Sequence, residues 1–305
     1  MRAYVKQIAK ARPELDARVS ARADVVGSMI GLKKRAGHIT GEVGICYFVR
    51  KKIPKSKLTP RQRVPSRVRS NHGYIVTDVV EWPQMEQQRA TSVPTILKDG
   101  QSQGALTCFA RSKAGLSGLT CAHCLEGPDG NAATPTTISY YDFPVRKWIL
   151  AGPSTFAVYS PGPNLPGNFG YIDCGLFDLH DDALYTRASS AYPVRPVVDL
   201  YSLVGKLLIG ISALRPSGFP DPARYAKVVG VEQYAIDGLA DIVLDVEPPG
   251  TFRGDSGILW MTKDGRAAGI HCRGENMPVM QGSTRTTAMM AKRACTFLNI
   301  ELLVD

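Results

Sequence analysis

The sequence has no run of about 18 apolar residues, the minimum for a membrane-spanning helix, so no transmembrane helix is predicted. The first residues, Met1 to Ile8, also lack the apolar core of a secretory signal peptide. Together these two absences favour a cytoplasmic protein that does not associate with membranes.

Acidic residues are scarce in the first part of the chain. Residues 1–70 contain 18 lysines and arginines but only four aspartates and glutamates, so this segment supplies the whole formal excess of ten positive charges. Such a surface can bind nucleic acid, another polyanion or an acidic protein. It can equally be a solvated face, or dock on the acidic remainder of the chain. Few aromatic residues are interleaved with the charges, and the sequence leaves these alternatives open.

Cysteines are few and odd in number. The seven are Cys46, Cys108, Cys121, Cys124, Cys174, Cys272 and Cys295. An odd count without a signal peptide favours reduced thiols over disulfides. Cys121, His123 and Cys124 could in principle ligate zinc, but no second Cys/His pair follows at the spacing of structural zinc sites. We therefore predict no metal site, and nothing in the sequence indicates a cofactor.

Glycine and proline, in contrast, are abundant. The 29 glycines and 21 prolines separate many short apolar runs, which predicts a mainly β protein. The length of 305 residues accommodates one domain of about 200 residues and a smaller element.

The basic segment has its own predicted organisation. Residues 4–24 have the pattern of a helix that Pro13 is expected to break. Strands are predicted at 31–34, 40–49 and 74–81. Prolines and polar residues over 82–100 indicate a linker. We therefore predict a small αβ module with its linker over residues 1–92, and a second domain over 93–305.

Two short motifs carry chemistry. Residues 253–257 are Arg-Gly-Asp-Ser-Gly, and residues 119–124 are Leu-Thr-Cys-Ala-His-Cys. A serine hydroxyl becomes a useful nucleophile when an adjacent imidazole removes its proton. Ser256 and His123 are the candidates for these two roles. The backbone N–H groups of Gly254 and Ser256 would stabilise the oxyanion that forms during acyl transfer.

The third candidate is a carboxylate that would hold the imidazole in its reactive tautomer. Asp173 is followed by two small residues and an apolar pair, as expected of a residue that opens a buried strand. Asp178 competes with it, but Asp178 and His180 belong to a polar stretch that resembles the exit of that strand. We predict Asp173 as the catalytic carboxylate and His180 as a solvated loop residue.

These motifs resemble those of chymotrypsin-like serine proteases, with the same order of His, Asp and Ser. The resemblance covers about residues 101–300 and implies a double six-stranded β-barrel with a C-terminal helix over about 287–298. It implies a serine endopeptidase that cuts protein or peptide substrates through an acyl-enzyme. In secreted relatives, a disulfide has the spacing of Cys108 and Cys124. More loosely, residues 31–81 resemble a region that precedes the protease domain in some intracellular trypsin-like peptidases of bacteria and plants.

A further resemblance concerns specificity. Residues 269–274, Gly-Ile-His-Cys-Arg-Gly, are similar to a segment of glutamyl endopeptidases and of viral chymotrypsin-fold cysteine proteases that cut after Glu or Gln. The resemblance implies that His271 and Thr251 line the pocket for the residue before the cut. Gly250 stands six residues before Ser256 where trypsin-like enzymes have an aspartate, which disfavours Lys or Arg in the pocket. His271 could instead only pack within its strand.

Two other function classes stay open. One is a protease-fold scaffold whose triad is silent. The other is a polyanion-binding or nucleic-acid-binding protein led by residues 1–70. Assembly into a homo-oligomer is also left open.

Overall fold

The computed structural model describes residues 2–20, 22, 24–35, 38–71, 73–82, 85–87, 97–99, 103–126, 135–142, 145–160, 171–212, 222–235, 238–275, 277 and 282–305. Within these ranges the α-helices are α1 (Arg2–Ser20), α2 (Asp182–Ser190) and α3 (Ala291–Leu298). None of these helices is long and apolar enough to cross a lipid bilayer. Most of the linker predicted over 82–100 lies outside the described residues.

The same ranges contain strands that form two sheets. In chain order they are β1 (Val25–Arg35), β2 (His38–Val49), β3 (Arg67–Ser70), β4 (Gly73–Glu81), β5 (Met85–Gln87), β6 (Leu97–Lys98), β7 (Gln103–Gly104), β8 (Cys108–Ser112), β9 (Gly115–Thr120), β10 (Thr137–Asp142), β11 (Lys147–Ser160), β12 (Ile172–Asp178), β13 (Tyr192–Val194), β14 (Leu207–Ile211), β15 (Ala223–Ala235), β16 (Gly238–Val246), β17 (Leu259–Thr262), β18 (Ala267–Glu275), β19 (Arg285–Met290) and β20 (Glu301–Val304).

The C-terminal half of the chain forms a closed barrel of six antiparallel strands. Its order is β14, β15, β16, β19, β18 and β17, and β17 pairs back with β14. Closure leaves no free edge within this ring. Apolar side chains of these strands, among them Val228, Leu244 and Trp260, are buried in its core. The predicted fold class, mainly β with a barrel and a C-terminal helix, is confirmed.

The N-terminal segment extends the same sheet. Strand β1 pairs antiparallel with β15, with Ile30 opposite Val231, and β2 and β4 continue the sheet outwards. Side chains of α1 and β1, including Ile8 and Ile30, belong to one apolar cluster with the barrel residues. The basic segment is therefore continuous with the barrel sheet. The domain boundary at residue 92 stays a prediction.

Helix α1 is unbroken at Pro13, so the predicted break is wrong. A proline inside a helix removes one backbone hydrogen bond and crowds the preceding turn. The buried side chains of Val5, Ile8, Leu15 and Val19 pack this helix against the sheet, and their burial outweighs that loss.

The second sheet supplies the other half of the candidate site. Its nine strands follow the order β13, β20, β8, β9, β12, β11, β10, β6 and β7. The residues predicted to begin the C-terminal helix, Thr287 to Met290, instead belong to β19, because their backbone pairs with both β16 and β18. Helix α3 begins at Ala291.

Candidate active site

His123 lies in a single 3-10 turn, Ala122–Cys124, that follows β9. Its Nδ1 lies 2.6 Å from Oδ2 of Asp173, and its backbone N–H donates to Oδ1 of the same carboxylate at 3.2 Å. Both side chains are fully buried. The carboxylate therefore fixes the imidazole ring and its turn together, which leaves Nε2 as the reactive nitrogen.

Asp173 reaches this position from β12, which pairs with β9 on one side and β11 on the other. The hydroxyl of Tyr171 donates to Oδ2 of Asp173 at 3.1 Å. Asp178, its competitor in the sequence, is 45% exposed and lies 3.7 Å from Nε2 of His180, itself 59% exposed. The structure thus brings Asp173 to His123 and leaves Asp178 near the surface.

The two buried groups shift each other's pKa. Burial lowers the pKa of His123, but the charges and hydrogen bonds of Asp173 and Cys124 together more than offset this, and the pKa ends well above its ordinary value. Burial raises the pKa of Asp173, yet the charge and hydrogen bonds of His123 bring it below its ordinary value. The pair therefore favours an imidazolium beside a carboxylate.

Ser256 lies in a turn stabilised by Asp255. One oxygen of the Asp255 carboxylate accepts from the Ser212 hydroxyl at 2.5 Å, and the other accepts from the N–H of Phe252 at 2.8 Å. Burial raises the pKa of Asp255 to about 6. Gly257 has a φ of +102°, and a Cβ there would lie 2.2 Å from the carbonyl oxygen of Ala105. Only glycine fits that position.

The turn of Ser256 packs directly against the turn of His123. The carbonyl of Ser256 accepts from the N–H of Ala105 at 2.7 Å, and the thiol of Cys124 lies 3.9 Å from the same oxygen. The Ser256 hydroxyl donates to the carbonyl of Cys272 at 3.2 Å. Within the described residues, Nε2 of His123 has no hydrogen-bond partner. The three triad candidates thus converge, but the serine–histidine hydrogen bond is not formed.

The candidate oxyanion groups lie in the same turn. Gly254 has a φ of +102°, a conformation that favours glycine. Within the described part of the chain, the N–H groups of Gly254 and Ser256 donate no hydrogen bond. Their assignment to an oxyanion hole stays a prediction.

The two candidate specificity residues are buried. His271 lies in β18, and its ring meets Trp260 edge to face at 6.2 Å. Burial, aided by the charge of His123, lowers the pKa of His271 to about 3, so its ring is neutral at neutral pH. Thr251 exchanges two backbone hydrogen bonds with Ser283. His123, Asp173, Ser256, Thr251 and His271 all have 0% exposure, so the site is closed in this conformation.

Sequence reasoning missed two residues beside the triad. The guanidinium of Arg273 lies over the ring of Tyr171, 4.8 Å from its centroid, and Tyr171 in turn contacts Asp173. The one available signal was spacing, because residues i and i+2 of a strand share a face. Tyr171 stands two positions before Asp173. Nothing in the sequence points to Arg273.

Three side chains of the site could in principle ligate a metal ion. The ligand atoms of Cys121, His123 and Asp173 lie within 4.8 Å of one another. However, Nδ1 of His123 and Oδ2 of Asp173 are already hydrogen-bonded to each other at 2.6 Å. Burial also raises the pKa of Cys121 well above its ordinary value, which disfavours the thiolate that a metal requires. The arrangement fits an acid–base pair better than a metal centre.

All seven cysteines are free and buried. Cys108 and Cys124, which have the spacing of a disulfide in secreted relatives, are therefore not bonded to each other. A hydrogen bond with Cys121, and the charge of His123, lower the pKa of Cys124 to about 6 against the effect of burial. The thiols of Cys121 and Cys272 lie 4.0 Å apart beneath the site.

Comparison with known proteins gives no family model and no curated protein that matches the sequence. Solved structures of serine proteases do match. One is a glutamic acid specific serine protease that uses a histidine triad in substrate binding, with 13% identity, a TM-score of 0.43, and coverage of 68% of this chain and 97% of that one. Another is an inactive form of Rv3671c from M. tuberculosis H37Rv, with 13% identity, a TM-score of 0.34, and coverage of 63% and 83%. At these values the likeness carries no argument about activity.

Proposed function

We propose that this chain is a serine endopeptidase that hydrolyses peptide bonds through His123, Asp173 and Ser256. The observation that carries the proposal is the buried hydrogen bond of 2.6 Å between Nδ1 of His123 and Oδ2 of Asp173, in a turn that packs against Ser256. A buried carboxylate that orients an imidazole beside a serine is the arrangement that activates a hydroxyl for acyl transfer.

The proposed reaction begins when the Ser256 hydroxyl turns from the carbonyl of Cys272 to Nε2 of His123. Ser256 attacks the substrate carbonyl carbon, and its proton passes to His123. The N–H groups of Gly254 and Ser256 stabilise the negative oxygen of the tetrahedral intermediate. His123 then protonates the leaving amine, and water hydrolyses the resulting ester. Asp173 stays ionised and stabilises the imidazolium.

For specificity we propose Gln or Glu as the residue before the cut, with His271 and Thr251 as its contacts. The pKa of His271, lowered to about 3, keeps its ring neutral. A neutral ring can hydrogen-bond the amide of Gln without burying a net charge. A Glu carboxylate in the same place requires a proton, taken up by His271 or by Glu itself. The site therefore favours Gln at neutral pH and admits Glu better as the pH falls.

The test is hydrolysis of a peptide library by the full chain, with products identified by mass spectrometry. We expect cuts after Gln and Glu that disappear in Ser256→Ala. Thr262→Ala is a suitable control, because this hydroxyl lies in the same barrel and hydrogen-bonds to the carbonyl and N–H of Arg266, outside the candidate site. Hydrolysis that survives in Ser256→Ala would remove the proposal, and cuts mainly after basic or small apolar residues would remove its specificity.

The closed site favours a second candidate, a protease-fold scaffold without turnover. Its supporting observation is that Ser256 donates to Cys272 while its side chain has no exposed area. One experimental result distinguishes the scaffold from the protease. A scaffold shows no Ser256-dependent hydrolysis of any peptide, even after long incubation of folded protein.

A third candidate is binding of a polyanion by the basic segment. The lysines and arginines between residues 50 and 69 are all exposed, namely Arg50, Lys51, Lys52, Lys55, Lys57, Arg61, Arg63, Arg67 and Arg69. Removing this segment would also remove strands from the barrel sheet, so charge reversal is the better test. Replacing Lys51, Lys52, Lys55 and Lys57 with Glu should weaken a salt-dependent affinity for RNA or DNA if this function exists.

A further inference from the structure

A cavity of about 120 Å³ lies between the first strands of the sheet and the loop that joins β2 to β3, residues 50–66. Its apolar lining consists of six aliphatic residues, Val25, Val49, Ile53, Leu58, Val64 and Val79. Its polar lining consists of Asp24, Lys51, Lys52, Lys55, Gln62 and Arg63. None of the candidate triad, oxyanion or specificity residues lines this cavity, so it is separate from the candidate active site.

Three paired strands supply one wall of the cavity. Val25 of β1 stands opposite Val49 of β2, which in turn pairs with Glu81 of β4. Val79 lies two positions before Glu81 and therefore on the same face of β4. Because backbone hydrogen bonds hold these strands side by side, this apolar wall has a fixed shape.

The loop of residues 50–66 supplies the other wall, and its own hydrogen bonds hold it in place. The Arg63 guanidinium donates to the carbonyl of Leu58 at 3.0 Å. The hydroxyl and the N–H of Thr59 donate to the amide oxygen of Gln62 at 2.8 and 3.0 Å. Arg22, which follows α1, donates to the carbonyl of Arg63 at 2.5 Å. The cavity is therefore formed before a ligand binds, which reduces the cost of ordering on binding.

The rim of the cavity is strongly positive. Four of its lining residues are cations and one, Asp24, is a carboxylate. The four cations, Lys51, Lys52, Lys55 and Arg63, are all exposed. In the described part of the chain none of the four forms a salt bridge, whereas Lys34 of the neighbouring β1 pairs with Asp245 at 2.6 Å. The rim therefore offers positive charge that the fold itself does not neutralise.

An aliphatic cavity with a cationic rim fits a ligand that is apolar at one point and negative around it. An engineered apolar cavity of about 150 Å³ holds one benzene molecule, so this cavity accommodates one side chain of the size of leucine and not a long acyl chain. Its lining contains no aromatic ring on which a nucleic-acid base could stack. A peptide with one apolar residue between carboxylates matches both the volume and the charge.

We propose that this cavity is a docking site for an acidic peptide segment of a partner protein. One leucine-sized side chain of the segment enters among the aliphatic residues, and the carboxylates on either side of it meet the lysines and Arg63. The proposal does not depend on the protease function, because no residue of the candidate triad takes part.

The experiment measures binding of a fluorescein-labelled peptide, Asp-Asp-Leu-Asp-Asp, to the full chain by fluorescence anisotropy. This peptide contains neither Gln nor Glu, the residues after which cutting is proposed. We expect saturable binding that becomes weaker as the salt concentration rises, because exposed charges are screened. Asp-Asp-Ala-Asp-Asp should bind about tenfold more weakly, because it buries less apolar surface. Asn-Asn-Leu-Asn-Asn should also bind about tenfold more weakly, and without dependence on salt.

Charge-reversal variants with equal net charge test the rim. Lys51→Glu combined with Lys55→Glu should weaken binding of the leucine peptide about tenfold. Lys57→Glu combined with Arg67→Glu is the control, because both residues are exposed in the same basic segment and neither lines the cavity. This control pair should weaken binding less than about threefold, through its effect on the overall field alone.

Matched isoleucine variants test the apolar lining. Ile53 is 42% exposed and lines the cavity, whereas Ile211 is 63% exposed on β14 and does not. Ile53→Ala should weaken binding of the leucine peptide about threefold and leave binding of the alanine peptide unchanged, because two groups in contact are energetically coupled. Ile211→Ala should change neither affinity.

Several outcomes overturn the proposal. One is the absence of saturable binding up to a peptide concentration of about 1 mM. Another is equal affinity for the leucine and alanine peptides, which would leave only a charged face. Equal losses in the two charge-reversal pairs would mean that the cavity contributes nothing specific. A labelled uridine oligonucleotide that binds more tightly than the leucine peptide, with equal losses in both pairs, would indicate a polyanion-binding surface instead.

Discussion

Ser256 donates its side-chain hydrogen bond to the carbonyl of Cys272, at 3.2 Å, and not to Nε2 of His123. Engaging the histidine requires a change of rotamer and the loss of one hydrogen bond, worth about 0.5–1.5 kcal/mol net. Enzymes lower barriers by about 8 kcal/mol or more. The cost of leaving the resting rotamer is therefore small beside the catalytic gain.

Asp173→Asn should lower kcat by about four orders of magnitude, because an amide cannot hold the imidazole in the reactive tautomer. The measurement is hydrolysis of a Gln-containing peptide. Asp178→Asn is the matched control, since Asp178 is 45% exposed and lies 3.7 Å from Nε2 of His180, away from His123 Nδ1. Equal losses in the two variants would contradict the assignment of Asp173.

The pH profile of kcat/KM should fall on the acid side with an apparent pKa above the ordinary histidine value of about 6.5. His123 acts as a base only when neutral, and the charges and hydrogen bonds of Asp173 and Cys124 together raise its pKa against the effect of burial. Activity is thus lost as the pH falls through this raised pKa. In Asp173→Asn the residual activity should have its acid limb at lower pH. An unmoved limb would show that another group titrates.

Tyr171→Phe should reduce kcat by about three- to tenfold with little change in KM. The variant removes the hydrogen bond to Asp173, 3.1 Å long, and keeps the ring on which Arg273 lies. The pKa of Asp173 should rise, since one stabilising hydrogen bond is lost. Tyr140→Phe, which loses a hydrogen bond to Asp181 and none to the triad, is the control. If Tyr171 has only a structural role, Tyr171→Phe and Tyr140→Phe should lower the stability of the fold equally, and the pH profile of kcat/KM should not change in either variant.

His271→Ala should remove the preference for Gln over Ala before the cut, by about ten- to a hundredfold in relative kcat/KM. A pocket that hydrogen-bonds one side-chain oxygen rejects residues without it. In the wild type the ratio of Glu to Gln cleavage should increase as the pH falls from 8 to 5, because a proton must accompany a buried carboxylate. Titration of His123 affects the cleavage of both peptides equally, so it does not change the ratio of Glu to Gln cleavage. A uniform loss for every peptide would mean that His271 only packs.

Gly257→Ala should destabilise the fold by about 2–4 kcal/mol in urea unfolding. Its φ is +102°, and a Cβ would lie 2.2 Å from the Ala105 carbonyl oxygen, which is backbone and cannot move freely. Gly265→Ala is the control, with a φ of +73° and open space around its Cβ position. It should cost about 1 kcal/mol. Equal costs would mean that conformational strain, and not the contact with Ala105, dominates.

Short local patterns in the sequence predicted the segments that form the candidate site. The turn of Ser256, the turn of His123 and the strand of Asp173 each have a local pattern, and the structure brings them together. Tyr171 was predictable only by its spacing from Asp173. The roles of these residues stay proposals.

Long-range pairing explains most of what the sequence could not predict. No local pattern indicates that β1 pairs with β15 or that β5 pairs with β18, since both pairings join distant segments. Helix α1 continues through Pro13 because tertiary packing overrides local propensity. Thr287 is in a strand for the same reason, with partners on both sides.

The most direct test of the central proposal is covalent labelling of folded protein with a fluorophosphonate, followed by peptide mapping. The account predicts one modified residue, Ser256, with labelling abolished in Ser256→Ala and strongly slowed in Asp173→Asn. Absence of label from Ser256 after long incubation, or equal labelling in Asp173→Asn and the wild type, would contradict it.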